Sequence, residues 1–126
     1  MNTGFSFAKY AGADQTEPSF PEEDVIDPVK RRLAELSHLE ADWDSYGGLP
    51  PTLVSIQSAL GFVRLAGQQF WHAYGAGVKP TSISPLPSGG IELEWRTSAE
   101  LFAVEISSVG RWGYLRKRGS GRETRY

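Results

Sequence analysis

The spacing of the apolar residues changes once along this chain, close to Pro80, and this change limits the folds that the chain can adopt. Before Pro80, apolar residues recur every three or four positions, which is typical of amphipathic helices. After Pro80 they alternate with polar residues, which is typical of strands with one buried face. A helical region followed by a region of strands predicts an α+β fold, since α/β proteins alternate the two kinds of element.

The helical region divides into two helices at a stretch rich in glycine and proline. Asp27 suits the N-cap of the first helix, and Pro28 suits its first position, where a missing N–H has no cost. Thr52 or Ser55 caps the second helix, and Gly75 is placed to end it. The apolar stripes are Ile26, Val29, Leu33, Leu36 and Leu39 in the first helix and Ile56, Leu60, Val63, Gly67, Phe70 and Tyr74 in the second.

Four segments in the second half of the chain have the pattern of strands joined by short turns. They are residues 82–85, 91–96, 101–106 and 111–118, and Pro85 marks the first as an edge strand because proline cannot donate to a ladder. Short connections imply antiparallel neighbours. We therefore predict two helices packed on one face of a three- to four-stranded antiparallel meander sheet. Its predicted core face holds Ile91, Leu93, Trp95, Phe102, Val104 and Ile106.

The length of 126 residues fits a single domain. We predict an extended acidic and aromatic N-terminal arm over residues 1–24, one α+β domain over 25–118 and a basic C-terminal tail over 119–126. The chain contains no cysteine, which excludes disulfide frameworks, thiolate zinc sites and cysteine nucleophiles. It has no signal-peptide pattern and no apolar run of membrane-spanning length, so we expect a cytoplasmic protein with no membrane partner.

Charge is distributed unevenly along the sequence. Residues 1–50 hold ten acidic and four basic side chains, a net charge of −6. Residues 111–126 hold six basic side chains and one acidic side chain, a net charge of +5. Separated charge of this kind favours either contact between the two ends of the chain or binding to a charged partner.

The most distinctive loop spans Asp42–Gly47 and has the sequence Asp-Trp-Asp-Ser-Tyr-Gly; we call it the motif loop. In a structural interpretation, Trp43 and Tyr46 fill the gap between the helices and the sheet. Asp44 or the serine after it accepts hydrogen bonds from backbone N–H groups, and a glycine of the following pair adopts positive φ. This interpretation is the one that the residue types favour.

Two functional interpretations of the motif loop are the alternatives. The loop can present its aromatic and acidic side chains to a partner. It can also contribute to a metal site, because His38 and Asp42 share a helix face and Asp44 follows closely. The metal interpretation lacks a third strong ligand, so the sequence predicts no metal site.

The remaining ionisable residues do not form a catalytic set. Glu92 and Glu94 share one face of a predicted strand and Glu105 can join them from the next, as in the carboxylate pairs of glycosidases. That chemistry also needs a sugar-binding cleft, and cations on neighbouring strands can neutralise these acids. His38 and His72 have no nearby serine and aspartate that would complete a triad. We therefore predict that the protein is not an enzyme and binds no cofactor.

Two stretches of the sequence resemble a set of small bacterial proteins. They run from Asp42 to Pro50 and from Pro85 to Trp95. The similar proteins pair a W-D-S/G-Y-G loop with a G-G-I-x-L-E-W strand, and the resemblance covers roughly residues 33–114. Because that set has no established biochemical function, the resemblance implies the architecture and transfers no catalytic residue. It also implies a bacterial system of mobile-element or defence type.

These observations predict a non-enzymatic protein–protein interaction module. Its most concrete form is an antitoxin, an immunity-type inhibitor or a small accessory subunit of a bacterial defence or mobile-element system. A homo-oligomer is compatible with the same surfaces. The predicted partner-binding residues are Trp43, Asp44 and Tyr46 in the motif loop and Phe5, Phe7, Tyr10 and Phe20 in the arm.

The alternative function is that of a nucleic-acid-binding accessory protein. Basic side chains near the C-terminus can neutralise phosphates, and Tyr114 or Tyr126 can stack on bases. The residues that would bind nucleic acid are Arg116, Lys117, Arg118, Arg122 and Arg125.

Overall fold

The computed structural model describes residues 19–96, 100–118 and 123–125. These residues form two helices followed by one antiparallel sheet with the strand order β1-β2-β3-β4-β5. The helices are α1 (Glu22–Leu36) and α2 (Leu53–Tyr74). The strands are β1 (Ser82–Pro85), β2 (Ile91–Arg96), β3 (Glu100–Ile106), β4 (Trp112–Arg118) and β5 (Glu123–Arg125). The predicted α+β meander is confirmed, with β5 as one short additional strand in the segment predicted as a tail.

Helix α1 begins at Glu22, so the predicted start at Asp27 and Pro28 is wrong. The first turn contains three acidic residues, which interact favourably with the positive end of the helix dipole. Val25 and Ile26 are both buried, so apolar burial extends the helix towards the N-terminus. Pro28 consequently lies inside the helix, where its missing N–H leaves one intrahelical hydrogen bond unmade.

Helix α2 begins and ends where the sequence predicts. The Thr52 hydroxyl accepts a hydrogen bond from the Ser55 N–H at 3.0 Å, and Gly75 ends the helix with a φ of 68°. Along the apolar stripe, Ile56 and Leu60 are partly buried and Val63 and Gly67 are buried, but the last two residues are exposed. Phe70 and Tyr74 are 42 % and 75 % exposed, so the end of the stripe lies outside the core.

The core lies between the helices and one face of the sheet. The cross-strand pairs on this face are Ile91 with Ile106, Leu93 with Val104 and Trp95 with Phe102. The predicted register is therefore confirmed. The first two pairs are buried, whereas Trp95 and Phe102 are only partly buried. The helices contribute Val25, Ile26, Val29, Leu33, Leu36, Ala59, Phe62 and Val63 to this core.

The opposite face of the sheet is mixed rather than uniformly polar. Glu92, Glu94 and Glu105 are half-buried there, and Glu92 stands directly opposite Glu105. Leu101 and Ala103 occupy the same face of β3 by alternation and are buried. Strand β3 is the central strand of the sheet, and its first half is therefore apolar on both faces.

The two helices cover different parts of the sheet. Helix α1 contacts β1, and α2 contacts β2 and β3. On the outer side of β1, the Arg32 side chain donates from Nε to the Ile83 carbonyl oxygen at 3.0 Å. This contact occupies part of an edge that would otherwise be free to pair with another strand. Within the described part of the chain, neither helix has the length and apolar character needed to cross a membrane.

Candidate protein-binding surface

The motif loop lies at the end of the sheet where β1 turns into β2. The Leu49 N–H donates to the Pro87 carbonyl oxygen at 2.8 Å, and the Thr52 N–H donates to the Gly89 carbonyl oxygen at 3.0 Å. Leu49 also forms a parallel bridge with Ser88. The two stretches with distinctive sequences, the motif loop and the glycine pair before β2, are therefore neighbours in space.

Asp44 organises the motif loop through hydrogen bonds to the backbone. Its Oδ1 accepts from the Tyr46 N–H at 3.0 Å and from the Gly48 N–H at 2.8 Å. These two bonds, first that from Tyr46, lower the pKa of Asp44 below its ordinary value of 3.8. A Cβ on Gly48 would lie only 2.7 Å from the Asp44 carboxyl carbon. The predicted role of Asp44 as a backbone acceptor is confirmed, and Gly48 is required for its close approach.

Asp42 closes the same loop from its other side. Its Oδ1 accepts from the Gly47 N–H at 2.7 Å, and its own N–H donates to the Gly48 carbonyl oxygen at 2.7 Å. Gly47 has the predicted positive φ, at 80°. Asp42 and Ser45 also have a φ of 65°, a conformation that residues with a side chain rarely adopt. The sequence does not indicate these two residues, because positive φ is expected of glycine.

The two aromatic residues of the motif loop have different environments. Trp43 is half-buried, and its Nε1 donates to the Leu49 carbonyl oxygen at 2.8 Å. Tyr46 is 91 % exposed. The prediction that Tyr46 fills the gap between helices and sheet is therefore wrong. The two aspartates close the turn from inside, so no second aromatic ring is needed there, and Tyr46 projects from its tip.

The ionisable residues near the motif loop do not form a metal site. Within the described ranges, no group of three His, Asp or Glu side chains is arranged to hold an ion. Oδ1 of Asp42 and Oδ1 of Asp44 already accept backbone hydrogen bonds. His38 is exposed in the turn after α1, and His72 is exposed on α2. The geometry gives the aspartates a structural role.

A second region of interest is an open apolar groove at the opposite end of the sheet. It has a volume of about 630 Å³ and lies between the C-terminal half of α2 and strands β2 to β4. Val78, which follows the end of α2, closes one side. We call it the aromatic groove, and its rings come from Phe62, Phe70, Trp95, Phe102 and Tyr114.

The rings of the aromatic groove form a continuous surface. Trp95 has its ring centroid 6.0 Å from that of Phe62 and 6.2 Å from that of Phe102. Tyr114 continues the series at 5.7 Å from Phe102. These separations are typical of interacting aromatic pairs. Phe70 and Tyr114 are 42 % and 39 % exposed, so this apolar surface is accessible.

Trp112 extends the aromatic surface along β4. Its ring meets the ring of Phe62 edge-on at 4.7 Å, and its Nε1 donates to the Ser58 hydroxyl at 3.0 Å. It remains 48 % exposed. The sequence pattern places Trp95 and Phe102 on the core face and Phe70 and Tyr74 on the α2 stripe. The apolar stripe of α2 continues to Phe70 and Tyr74, at the end of the helix. This continuation is the sequence signal that could have identified an open apolar surface.

Among the arm residues proposed for partner binding, only Phe20 lies in the described part of the chain. Its ring meets the ring of Trp71 at 6.5 Å with an interplanar angle of 71°. A Cβ on Gly67 would lie 2.9 Å from the Phe20 ring, so the absence of a side chain makes room for it. Phe20 therefore packs on α2. Phe5, Phe7 and Tyr10 lie outside the described residues.

The basic residues of the nucleic-acid alternative are divided among strands. Residues 116–118 pair with residues 100–102 in the β3–β4 ladder. Arg125 lies in β5, and its backbone pairs with Leu115. Arg122 falls outside the described residues. The basic segment is thus built at least partly into the sheet, where the sequence analysis expected a tail from residue 119.

The acidic residues of the outer sheet face are neighbours along the ladder. Glu92 and Glu105 are cross-strand partners, and Glu94 accepts a hydrogen bond from the Ser82 hydroxyl at 3.2 Å. They share one sheet face and do not oppose each other across a cleft. A glycosidase arrangement requires two carboxyl groups on opposite sides of a bound sugar. This geometry does not supply that arrangement.

Comparison of the chain with protein-family models, with curated proteins and with solved structures finds no match. Two surfaces of the described structure are the candidates for a functional site. One is the aromatic groove, and the other is the projecting Tyr46 of the motif loop.

Proposed function

We propose that this protein is a non-enzymatic protein-binding module that holds its partner in the aromatic groove. The observation that carries the proposal is the continuous series of aromatic rings between α2 and the sheet, with Phe70 and Tyr114 partly exposed. Contiguous exposed apolar surface on a small domain is typical of an interaction site. An antitoxin, an immunity-type inhibitor or an accessory subunit of a bacterial system is the form in which we place this activity.

The composition of the groove suits a protein partner. Binding energy in protein interfaces is concentrated in a few buried residues, among which tryptophan and tyrosine are enriched. Trp95 and Tyr114 are such residues, and Gln69 and Glu100 supply polar groups to the lining. A groove between a helix and a sheet can receive an apolar helix face or an extended segment. Apolar side chains of the partner would cover the rings.

The motif loop supplies a second, smaller contact in this proposal. Trp43 and Asp44 hold the loop through their hydrogen bonds to the backbone, and Tyr46 is the side chain left to touch a partner. Because the loop is closed before binding, ordering it on contact would have little entropic cost. The sequence-based assignment of three partner-binding residues in the loop thus becomes one contact residue and two supporting residues.

A pair of variants on α2 tests the groove. Phe70 lines the groove and is 42 % exposed, while Leu65 is 48 % exposed on the same helix and does not line it. Affinity purification from the native host, with and without nuclease, should recover a protein with the unmodified chain and with Leu65→Ser. The same protein should be lost with Phe70→Ser. Thermal melts would establish that both variants are folded.

The outcome that would contradict the proposal is equally specific. If the recovered protein is retained by both folded variants, the groove does not bind it, and Tyr46 becomes the next residue to test. If nuclease treatment removes every recovered partner, the nucleic-acid alternative replaces the proposal.

One observation favours the nucleic-acid alternative. Trp112 and Tyr114 are partly exposed on β4, the strand that ends with three consecutive basic residues. Aromatic rings beside cations are the usual means of binding single strands. That function requires affinity to fall steeply and linearly with the logarithm of salt concentration. Titration of a labelled single strand at several salt concentrations measures this dependence directly.

A further inference from the structure

We infer that residues 1–18 of this chain bind in the aromatic groove of the same molecule, with Phe5 and Phe7 against the groove rings. The inference concerns the free protein and goes beyond the proposed function. Its regulatory consequence, competition with the partner, rests on that function. Three features support it: the position at which the described chain begins, the length of the segment before it and the chemistry of that segment.

The described chain begins beside a wall of the groove. Phe20 packs on Trp71 of α2, and Pro21 packs against Gly77, where a Cβ would lie 2.7 Å from the Pro21 ring. The residue after Gly77 is Val78, which lines the groove. A segment that ends at this point is therefore attached close to the site that it would occupy.

The segment is long enough to cross the groove. Eighteen residues span up to about 60 Å when extended. Helix α2, with 22 residues, is about 33 Å long. Phe7 precedes Phe20 by 13 residues, a separation that reaches any part of a groove bounded by half of that helix. The connection therefore does not restrict which groove ring Phe5 or Phe7 meets.

The composition of the segment matches the groove. Its aromatic residues are Phe5, Phe7 and Tyr10, and most of its other residues are small or polar. Phe5 and Phe7 are two positions apart, so an extended backbone places both rings on one side. The groove is the accessible aromatic surface beside the point of attachment.

Because residues 1–18 are tethered to the domain, even a weak contact with the groove is enough to populate the bound form. A tethered segment has an effective concentration in the range of about 1 mM near its site, so a modest affinity populates the bound form. A partner must then displace the segment. If residues 1–18 occupy the groove nine-tenths of the time, the apparent affinity for the partner falls about tenfold. The double substitution Phe5→Ser with Phe7→Ser should therefore raise the apparent affinity for the partner about tenfold.

A spin label on the full-length protein tests the inference without any partner. The chain has no cysteine, so Ser6→Cys provides a single attachment point between the two phenylalanines. A nitroxide there should broaden the NMR signals of Ala66, Val78 and the Trp95 indole in the groove. It should spare Val54, which lies near Gly110 at the other end of the sheet.

Matched variants in the labelled chain identify the side chains responsible. Phe5→Ser with Phe7→Ser should remove the broadening, and Thr3→Ser with Thr16→Ser should preserve it. On the groove side, Phe70→Ser should remove the broadening while Leu65→Ser preserves it. Broadening that is absent, or that survives the phenylalanine substitutions, would overturn the inference.

A mixed sample distinguishes the same molecule from a second copy. Protein that is enriched in ¹⁵N and carries no spin label is mixed with spin-labelled protein at natural isotope abundance. Groove signals should remain sharp, because the contact is within one chain. Broadening in the mixture would overturn the inference and identify a second copy as the occupant. The spin-label experiment contains no partner. Its result therefore does not depend on whether the purification experiment supports the proposed function.

Discussion

The two ends of the sheet are built in different ways. At the motif-loop end, polar side chains are matched to backbone groups: the Thr52 hydroxyl donates to the Ser108 carbonyl oxygen at 2.6 Å, and the Ser58 hydroxyl donates to the Gly110 carbonyl oxygen at 3.0 Å. At the other end, the aromatic groove leaves Phe70 and Tyr114 partly exposed. At the motif-loop end, the distinctive residues form hydrogen bonds that fix the backbone. At the groove end, apolar side chains remain outside the core and partly exposed.

This difference indicates which residues serve the fold and which are available for binding. A side chain with a directed hydrogen bond in a closed turn stabilises that turn, and its removal affects stability. A partly exposed ring contributes less to the free energy of folding, because only part of its apolar area is buried. We therefore expect substitutions at the motif-loop end to change stability and substitutions in the groove to change binding.

The largest expected effect is at Gly90, at the motif-loop end. A Cβ there would overlap the carbonyl oxygen of Ile106 in β3. Because a backbone atom cannot move aside easily, Gly90→Ala should lower the free energy of unfolding by about 3 kcal/mol. Gly61→Ala is the control, since nothing lies within 4 Å of the added carbon on α2. It should raise stability by about 0.5–1 kcal/mol. Urea denaturation measures both, and equal changes would contradict the close approach.

The next prediction compares alanine substitutions at two cross-strand partners, Val104 and Tyr114. Val104 is fully buried, so Val104→Ala should lower the free energy of unfolding by about 2 kcal/mol. Tyr114 is 39 % exposed, and Tyr114→Ala should cost less than about 1 kcal/mol while weakening partner binding about 30-fold, as for a residue at the centre of an interface. Chemical denaturation and a binding titration measure the two effects. A larger stability loss at Tyr114 would assign its ring to the core.

Asp44 makes the stability of the motif loop depend on pH. Its pKa in the folded protein is lowered, so the stabilisation is complete above the unfolded-state value near 3.8. It is lost as the pH falls from that value through the lower folded-state pKa. Asp44→Asn should therefore be less stable than the unmodified chain at pH 6, with the difference shrinking below pH 4. Urea denaturation across this range measures the difference, and a constant difference would contradict the linkage.

The smallest effect is expected at Tyr46. Because its side chain is 91 % exposed, Tyr46→Ala should change the free energy of unfolding by less than about 0.5 kcal/mol. Trp43→Phe is the comparison in the same loop, since it removes the hydrogen bond to the Leu49 carbonyl oxygen and should cost about 1 kcal/mol. Thermal melts rank the two variants. A greater loss at Tyr46 would show that the tip of the loop supports the fold.

Local features of this protein were predictable because they depend on neighbouring residues. The ends of α2 followed from a threonine that caps and a glycine that tolerates positive φ. The core face of β2 and β3 followed from alternation, because a shift of one residue would have exposed Ile91 and Leu93 and buried two glutamates. Asp44 as a backbone acceptor followed from the turn chemistry of aspartate before glycine.

The sequence by itself thus determined the fold class, the strand register and the role of Asp44 as a backbone acceptor. Only the tertiary structure decided which apolar residues remain uncovered. A helical stripe specifies a face but not how far the sheet extends beneath it, and Phe70 and Tyr74 lie past the covered part. Likewise, alternation placed Trp95 and Phe102 on the core face, but the positions of both helices left them partly open. Burial depends on every element that packs around a residue, and periodicity reports on one element at a time.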